Sequence, residues 1–406
     1  LTTSPARRVL VTGMGAICAT GQDVPSFLAA LRAGRAGIGP ITTIPTKRLS
    51  IRIAAEVPGF DPAAHFTPKQ IQLLDRNAQL GLVAAREAMA QAGLAPGSVP
   101  QGAVVFGAGI GQQSFDSSYL QLYGEGQPRV HPFTVPRIMP NAAASHISIA
   151  FGLRGPCYAV ATACASANHA IGQAAHMIRS GMVDVAVAGG ADASVVVGVM
   201  KGWEALRVLS PDACRPFSLN RSGLVIGEGA GVLVLESADH AARRGATGLM
   251  EIAGFGMSSD AADITAPGLE GTTQAMRAAL ADAGCDPAEV GYVNAHGTGT
   301  RLNDRMEVAA LRGVFGAGLD RIAVSSTKSM IGHCMTAGGA LELIATSLAL
   351  RDGILPPTAG FTEADPDCDI DCVPDAGRVA AVDVAMCNAF AFGGLNAVLV
   401  ARRWAA

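Results

Sequence analysis

REAMAQAGLAPGSV (residues 86–99) aligns without a gap on RAALADAGCDPAEV (277–290), 191 positions further along, and seven of the fourteen residues are identical. Each copy reads as an alanine-rich helix stopped by a glycine, Gly93 or Gly284, where a left-handed residue ends a helix at least cost. A proline turn follows in both, then an apolar run, GAVVFGAG (102–109) or GYVNAHG (291–297), of the kind that forms a buried strand. One helix–Gly–Pro–strand order met twice predicts a duplicated α/β unit. The halves divide near residue 253, as 1–253 and 254–406, with no linker-like composition between them.

The other apolar runs fit that class. RRVLVTGMGA (7–16), VDVAVAGG (183–190), AGVLVLES (230–237), RIAVSST (321–327) and NAVLVARR (396–403) read as further buried strands, with helical patterns between several of them. Half of the 406 residues are apolar and 16% are charged, the balance of a large packed core rather than a disordered chain. No uncharged apolar run reaches the roughly 18 residues of a membrane span, and the first residues lack the apolar core of a secretory signal, so a cytoplasmic setting is expected. A net charge of −3 without a long basic run gives no reason to expect nucleic acid. Nine scattered cysteines predict reduced thiols, and CDIDC (368–372) lacks both the spacing and the second half of a zinc site, so no metal is expected.

GMGAICATG (13–21) follows a strand, as a dinucleotide fingerprint would, but Cys18 stands where the third glycine is needed and no acidic residue ends a strand about 20 residues on. It reads as a strand-exit turn, and GAGIGQQ (107–113) likewise. ATACASANHA (161–170) differs. Small and apolar residues at 167, 170, 171, 174, 175 and 178, then Gly181, make a helical face with a stop, which puts Cys164 at the helix start. Unpaired N–H groups and the positive end of the helix dipole favour thiolate there. The segment alone fits a buried structural cysteine equally well.

Two histidines tip the balance. His296 in NAHGTGT (294–300) and His333 in TKSMIGHCMTAGG (327–339) lie in glycine-flanked exits of predicted strands, where functional groups of α/β proteins gather. Lys328 precedes His333, and Asp304 and Glu307 follow His296. One cysteine with two histidines suits thiolate chemistry in which imidazoles polarise a carbonyl or stabilise an enolate. In CNAFAFGGLNAVLV (387–400), Phe390 and Phe392 flank a turn at Gly393 and Gly394, and either core packing or a gate fits them.

These motifs, with FGLRGPCYAVATACASANHAIG, RPFSLNRSGLVIGEGAGVLVLE and SSTKSMIGH, resemble the elongating β-ketoacyl-[acyl carrier protein] synthases of the synthase II type nearly end to end. WEALRVLSPDACRPFS and AHGTGTRLND are also similar to nodulation-type and polyene type II ketosynthases. The resemblance implies a thiolase-like fold, two similar halves in five αβαβα layers. It implies a Cys164–His296–His333 triad that holds an acyl group on Cys164 as a thioester, decarboxylates malonyl-carrier protein and joins the two, lengthening the chain by two carbons. Lys328 matches the family lysine near the triad and Glu342 its buried supporting carboxylate. Backbone N–H groups of Cys164 and Phe392 match the oxyanion hole, with Phe392 as gate. Thr298 and Thr300 match hydroxyls that hold the phosphopantetheine arm, while Ile110 and Phe133 match the acyl pocket. Lys69, Arg129 and Arg207 stand where a basic rim would meet the acidic carrier protein.

The resemblance implies no bound cofactor, since the pantetheine arrives on the carrier, and it implies a dimer with itself or with a chain-length-factor-like subunit. A non-catalytic chain-length factor would lack the nucleophile, and a thiolase would carry a second cysteine where NAFAFGGLN stands. An initiating synthase would place asparagine at His333. The usual gate, G-F-G-G-T, is here Ala391-Phe392-Gly393-Gly394-Leu395, so losing the first glycine is expected to stiffen or redirect the loop.

Overall fold

A computed structural model of the chain describes residues 7–109 and 111–405. Ten strands form its main sheet: β1 (Val9–Cys18), β2 (Ala103–Ala108), β3 (Cys157–Val160), β4 (Val185–Ala193), β5 (Glu228–Ser237), β6 (Met250–Ser259), β7 (Val290–Asn294), β8 (Ala323–Ser325), β9 (Val384–Ala391) and β10 (Leu395–Arg403). Their spatial order is β8-β7-β9-β10-β6-β1-β5-β4-β2-β3. From the β1–β6 seam outward, each half therefore runs first, fifth, fourth, second, third strand of its own five. Pairing types match as well: β2 and β7 are parallel to both neighbours, while β5 and β10 are antiparallel to theirs.

Six helices complete the layers: α1 (Arg76–Gln91), α2 (Ala142–Phe151), α3 (Ser166–Arg179), α4 (Leu269–Asp282), α5 (Arg301–Phe315) and α6 (Gly338–Asp352). Helices α1 and α2 cover β1, β5, β4 and β2 on one outer side; α4 lies on β6 and β10 on the other, with α5 against it. Between the two half-sheets lie α3 and α6, packed against strands of both. This is the five-layer αβαβα thiolase-like arrangement. It is built from one continuous sheet, because β1 and β6 pair at Leu10–Glu251 and Val11–Met250. Every residue of α6 from Gly338 to Leu350 is buried, as expected of a helix apolar on all sides in a middle layer. The division expected after residue 253 falls inside β6, whose first residue is Met250.

Both copies of the repeated segment are the outer helices α1 and α4, closed by Gly93 at φ +67° and Gly284 at φ +55°. They seat on glycines of the half-leading strands. A Cβ on Gly15 of β1 would lie 1.8 Å from the Ala84 carbonyl oxygen of α1, and one on Gly256 of β6 would lie 2.1 Å from that of Ala275 in α4. Ala84 and Ala275 are themselves repeat equivalents. The GMGA motif thus serves helix–strand contact, not phosphate binding.

Three strands of the main sheet escaped the sequence patterns: β3, β6 and β9. No helix among the described residues is long and apolar enough to cross a membrane.

Candidate active site

Cys164 lies in a tight turn, Ala163–Ala165, that leads into α3. Ala163 is held at φ +47°, a left-handed conformation unusual for alanine, and the Ser166 hydroxyl donates to its carbonyl at 2.6 Å. His333 follows Gly332 at φ +65°; its N–H donates to the Val225 carbonyl at 2.7 Å, and its carbonyl accepts from Gly227 N–H at 2.9 Å. These ties aim the imidazole across the layer boundary, with Nε2 3.0 Å from Cys164 Sγ. His296 leaves the end of β7. Glu307 of α5 accepts from the N–H groups of His296 at 2.8 Å and Gly297 at 2.7 Å, and from Asn388 at 3.1 Å. The His296 ring stands edge-on to His333, centroids 5.4 Å apart, and 5.9 Å from that of Phe390.

Burial dominates the electrostatics. It pushes both imidazoles well below their ordinary value, and the Lys328 ammonium adds to the effect. Burial also drives the Cys164 thiol up to about 12, against the opposing pull of Lys328. The helix-start position had suggested a thiolate. At 9% exposure, loss of solvation is the largest influence on the thiol. The resting pair is therefore a neutral thiol beside a neutral imidazole. Lys328 is buried and ion-paired with Glu342 of α6, whose carboxyl is raised by burial and lowered by Lys328.

Cys164, His296 and His333 open on a cavity of about 670 Å³, whose walls include Thr298, Thr300, Phe390 and Phe392. The two threonine hydroxyls touch at 2.9 Å. Phe392 stacks on Trp203, centroids 5.6 Å apart and 29° between planes. Trp203, Asn220, Ile264 and Arg301 also line the space, and nothing in their local patterns marked them.

Of the basic residues expected at the rim, exposed Arg207 lines the cavity; Lys69 and Arg129 are exposed on other segments. Phe133 does not line it. That residue is 40% exposed, its ring centroid 5.9 Å from that of His131. Ile110 lies outside the described residues. Ala391 is an ordinary strand residue paired with Leu395, and the left-handed positions fall on Gly393 (φ +88°) and Gly394 (φ +67°). Gly393 N–H donates to the Ile264 carbonyl at 2.8 Å, tying the hairpin to the cavity wall.

Among the described residues, no three His, Cys, Asp or Glu side chains are grouped to hold a metal ion. Cys368 and Cys372 are buried in the core beneath α5.

The chain matches the family models described as "Beta-ketoacyl synthase, N-terminal domain" over residues 6–241 and "Beta-ketoacyl synthase, C-terminal domain" over 249–362. It is 49% identical over 400 residues to Nodulation protein E of Rhizobium sp. (strain N33), covering 98% of this chain and 99% of that one. With 3-oxoacyl-[acyl-carrier-protein] synthase 2 of Staphylococcus aureus (strain COL) it shares 40% identity over 413 residues, covering 99% and 100%. Among solved structures, the ishigamide ketosynthase/chain length factor superposes with a TM-score of 0.94 at 38% identity, covering 98% of this chain and 100% of that chain. With both family models met in order along it, this chain belongs to the beta-ketoacyl synthase family.

Proposed function

We propose that the protein is an elongating ketosynthase that joins an acyl chain on Cys164 to a two-carbon unit from malonyl-carrier protein. The observation that carries this reading is the 3.0 Å approach of His333 Nε2 to Cys164 Sγ, with His296 edge-on in the same cavity. In the first step Cys164 gives its proton to His333 and attacks the acyl thioester, and the carrier's pantetheine sulfur leaves and takes that proton. The malonyl thioester then loses its carboxylate as CO2, and the bond's electron pair passes into an enolate. A neutral imidazole suits this stage, because the N–H that His296 presents to the enolate oxygen stabilises it without protonating it outright. The enolate carbon attacks the Cys164 thioester, the C–S bond breaks, and the departing Cys164 thiolate takes up one proton from solvent, the proton the overall reaction consumes.

The backbone N–H groups of Cys164 and Phe392 are the proposed oxyanion donors, and the Thr298–Thr300 pair the hold on the pantetheine arm. The arm is substrate, delivered by an acyl carrier protein, and no resident cofactor is part of this reading. Arg207 is the rim residue favoured for carrier contact, since it alone of the three candidates lines the cavity. Division into two like halves near residue 253 is supported by the matching strand orders. Pairing with a second copy or a chain-length-factor-like subunit is supported by the open edge at β3 and the exposed Phe115, Tyr119 and Tyr123. Nine free thiols suit the cytoplasm.

The test is to mix the protein with malonyl-carrier and a panel of acyl-carriers, with and without such a partner, and weigh the products. Condensation products two carbons longer are expected. Full condensation by Cys164→Ala would sink the mechanism.

A further inference from the structure

The turn that carries Cys164 has an internal counterpart. Ala163–Ala165 precedes α3 and Met335–Ala337 precedes α6, and both open on a non-glycine residue in the left-handed region, Ala163 at φ +47° and Met335 at φ +41°. Thr336 therefore occupies, in the second half, the place of Cys164 in the first. Such conformations persist only where neighbours over-determine them, and Thr336, next to Met335, is held by Asp192.

Asp192 is the penultimate residue of β4 and is buried. Its Oδ2 accepts from the Thr336 hydroxyl at 2.9 Å and faces the Thr336 N–H at 3.5 Å, while Oδ1 accepts from Ser194. The Thr336 hydroxyl lies 2.9 Å from the Ala191 carbonyl as well. Gly190 admits the turn, since a Cβ there would lie 2.3 Å from the Thr336 carbonyl oxygen. His333 is only two residues ahead of Met335, so the path of that turn sets where the imidazole points.

We propose that Asp192 is a positioning residue for the condensation, its carboxylate clamping the Met335–Ala337 turn and so holding His333 against Cys164. The proposal rests on reading Cys164 and His333 as the reacting pair.

Three variants test it. Asp192→Asn keeps an acceptor for Thr336 and a partner for Ser194, and is expected to condense within about threefold of wild type. Asp192→Ala removes the clamp and is expected to lower kcat per alkylatable Cys164 by about tenfold or more, with KM for the carriers unchanged. Thr336→Val leaves every charge in place, so the same loss is expected, with alkylation of Cys164 by iodoacetamide slowed about fivefold as His333 ceases to accept the thiol proton. Combining Asp192→Ala with Thr336→Val should cost no more than the worse single change. A purely structural role would reduce the yield of folded protein but not kcat per site. Values for Asp192→Ala and Thr336→Val both within about twofold of wild type overturn the proposal. Should Asp192→Ala fail to fold, Thr336→Val decides alone. A wild-type protein that condenses nothing sinks the ketosynthase reading, while the alkylation comparison still judges the clamp.

Discussion

His333 Nε2 and Cys164 Sγ stand 3.0 Å apart with both side chains buried, and burial pushes their proton affinities in opposite directions. The thiol is driven up to about 12 and the imidazole well below its ordinary value. Forming the thiolate–imidazolium pair ahead of substrate would place two charges in a poorly solvated site, which is costly without further partners. Proton transfer is therefore coupled to attack on the thioester.

Alkylation kinetics check that coupling. In the free protein His333 is already an unprotonated base at neutral pH, so the rate of Cys164 modification by iodoacetamide is expected to change less than about threefold from pH 7 to pH 9, and to climb about tenfold per unit in His333→Gln, where only the rare thiolate reacts. A wild-type rate that climbs as steeply as that of His333→Gln would mean that His333 takes no proton during attack and would contradict the coupling.

The same burial gives a stability signature. For a histidine whose folded pKa is depressed, the contribution is fully present above the unfolded value near 6.5 and is lost as pH falls through the folded one. Relative to His333→Gln, the wild type is expected to lose about 1 kcal/mol between pH 7 and pH 5.5 in urea unfolding. The subtraction matters, because burial raises Glu307 to about 7 and Asp192 to about 6, and raised carboxyls act with the opposite sign. A gap that stays constant or moves the other way would show that His333 is protonated when folded.

Much of this was readable before any coordinates, for physical reasons that differ between residues. The repeat at 86 and 277 carries the fold because helix, cap and strand order are local. His296 and His333 stood out because strand exits are also local features, and Cys164 because a helix start is. Strand β6, with glycines at 254 and 256, and β9, apolar without alternation, lack the period-2 signal that marks a strand. Trp203 and Asp192 reach the site through contacts far apart in sequence. For the Cys164 thiol, a helix start is visible in the sequence and the depth of burial is not.

Lys328 and Glu342 form a buried ion pair that also bears on the imidazoles. Lys328→Met alone leaves the Glu342 charge uncompensated and is expected to cost about 3–5 kcal/mol in chemical unfolding. Adding Glu342→Leu should restore most of that stability. The rescued double variant should still decarboxylate malonyl-carrier far more slowly than wild type. If stability returned together with full turnover, Lys328 would be structural only.

Glu307 holds the His296 turn through two N–H groups that have no solvent to fall back on. Glu307→Ala strands both and is expected to cost about 2–5 kcal/mol, taking condensation with it. Glu307→Gln keeps one acceptor and should fall between. Equal stability of all three would mean the turn is held from elsewhere.

Trp203 and Phe392 meet face to face over the cavity that Cys164 enters, on the helix Val197–Ala205 and the 391–395 hairpin respectively. A stacked pair of this kind contributes about 0.5–1.5 kcal/mol beyond its buried area, enough to favour one hairpin position several-fold. Trp203→Ala removes the stack and opens space beside the nucleophile. The expected result is a shift in preference toward longer or bulkier acyl-carriers, read as the ratio of kcat/KM values across a chain-length panel, with Cys164 alkylation unchanged. Trp203→Phe keeps an aromatic face and should stay near the wild-type ratio. If Trp203→Ala slowed every acyl chain equally, the stack would be setting loop stability and not substrate choice, and the acyl chain would have to run away from Trp203.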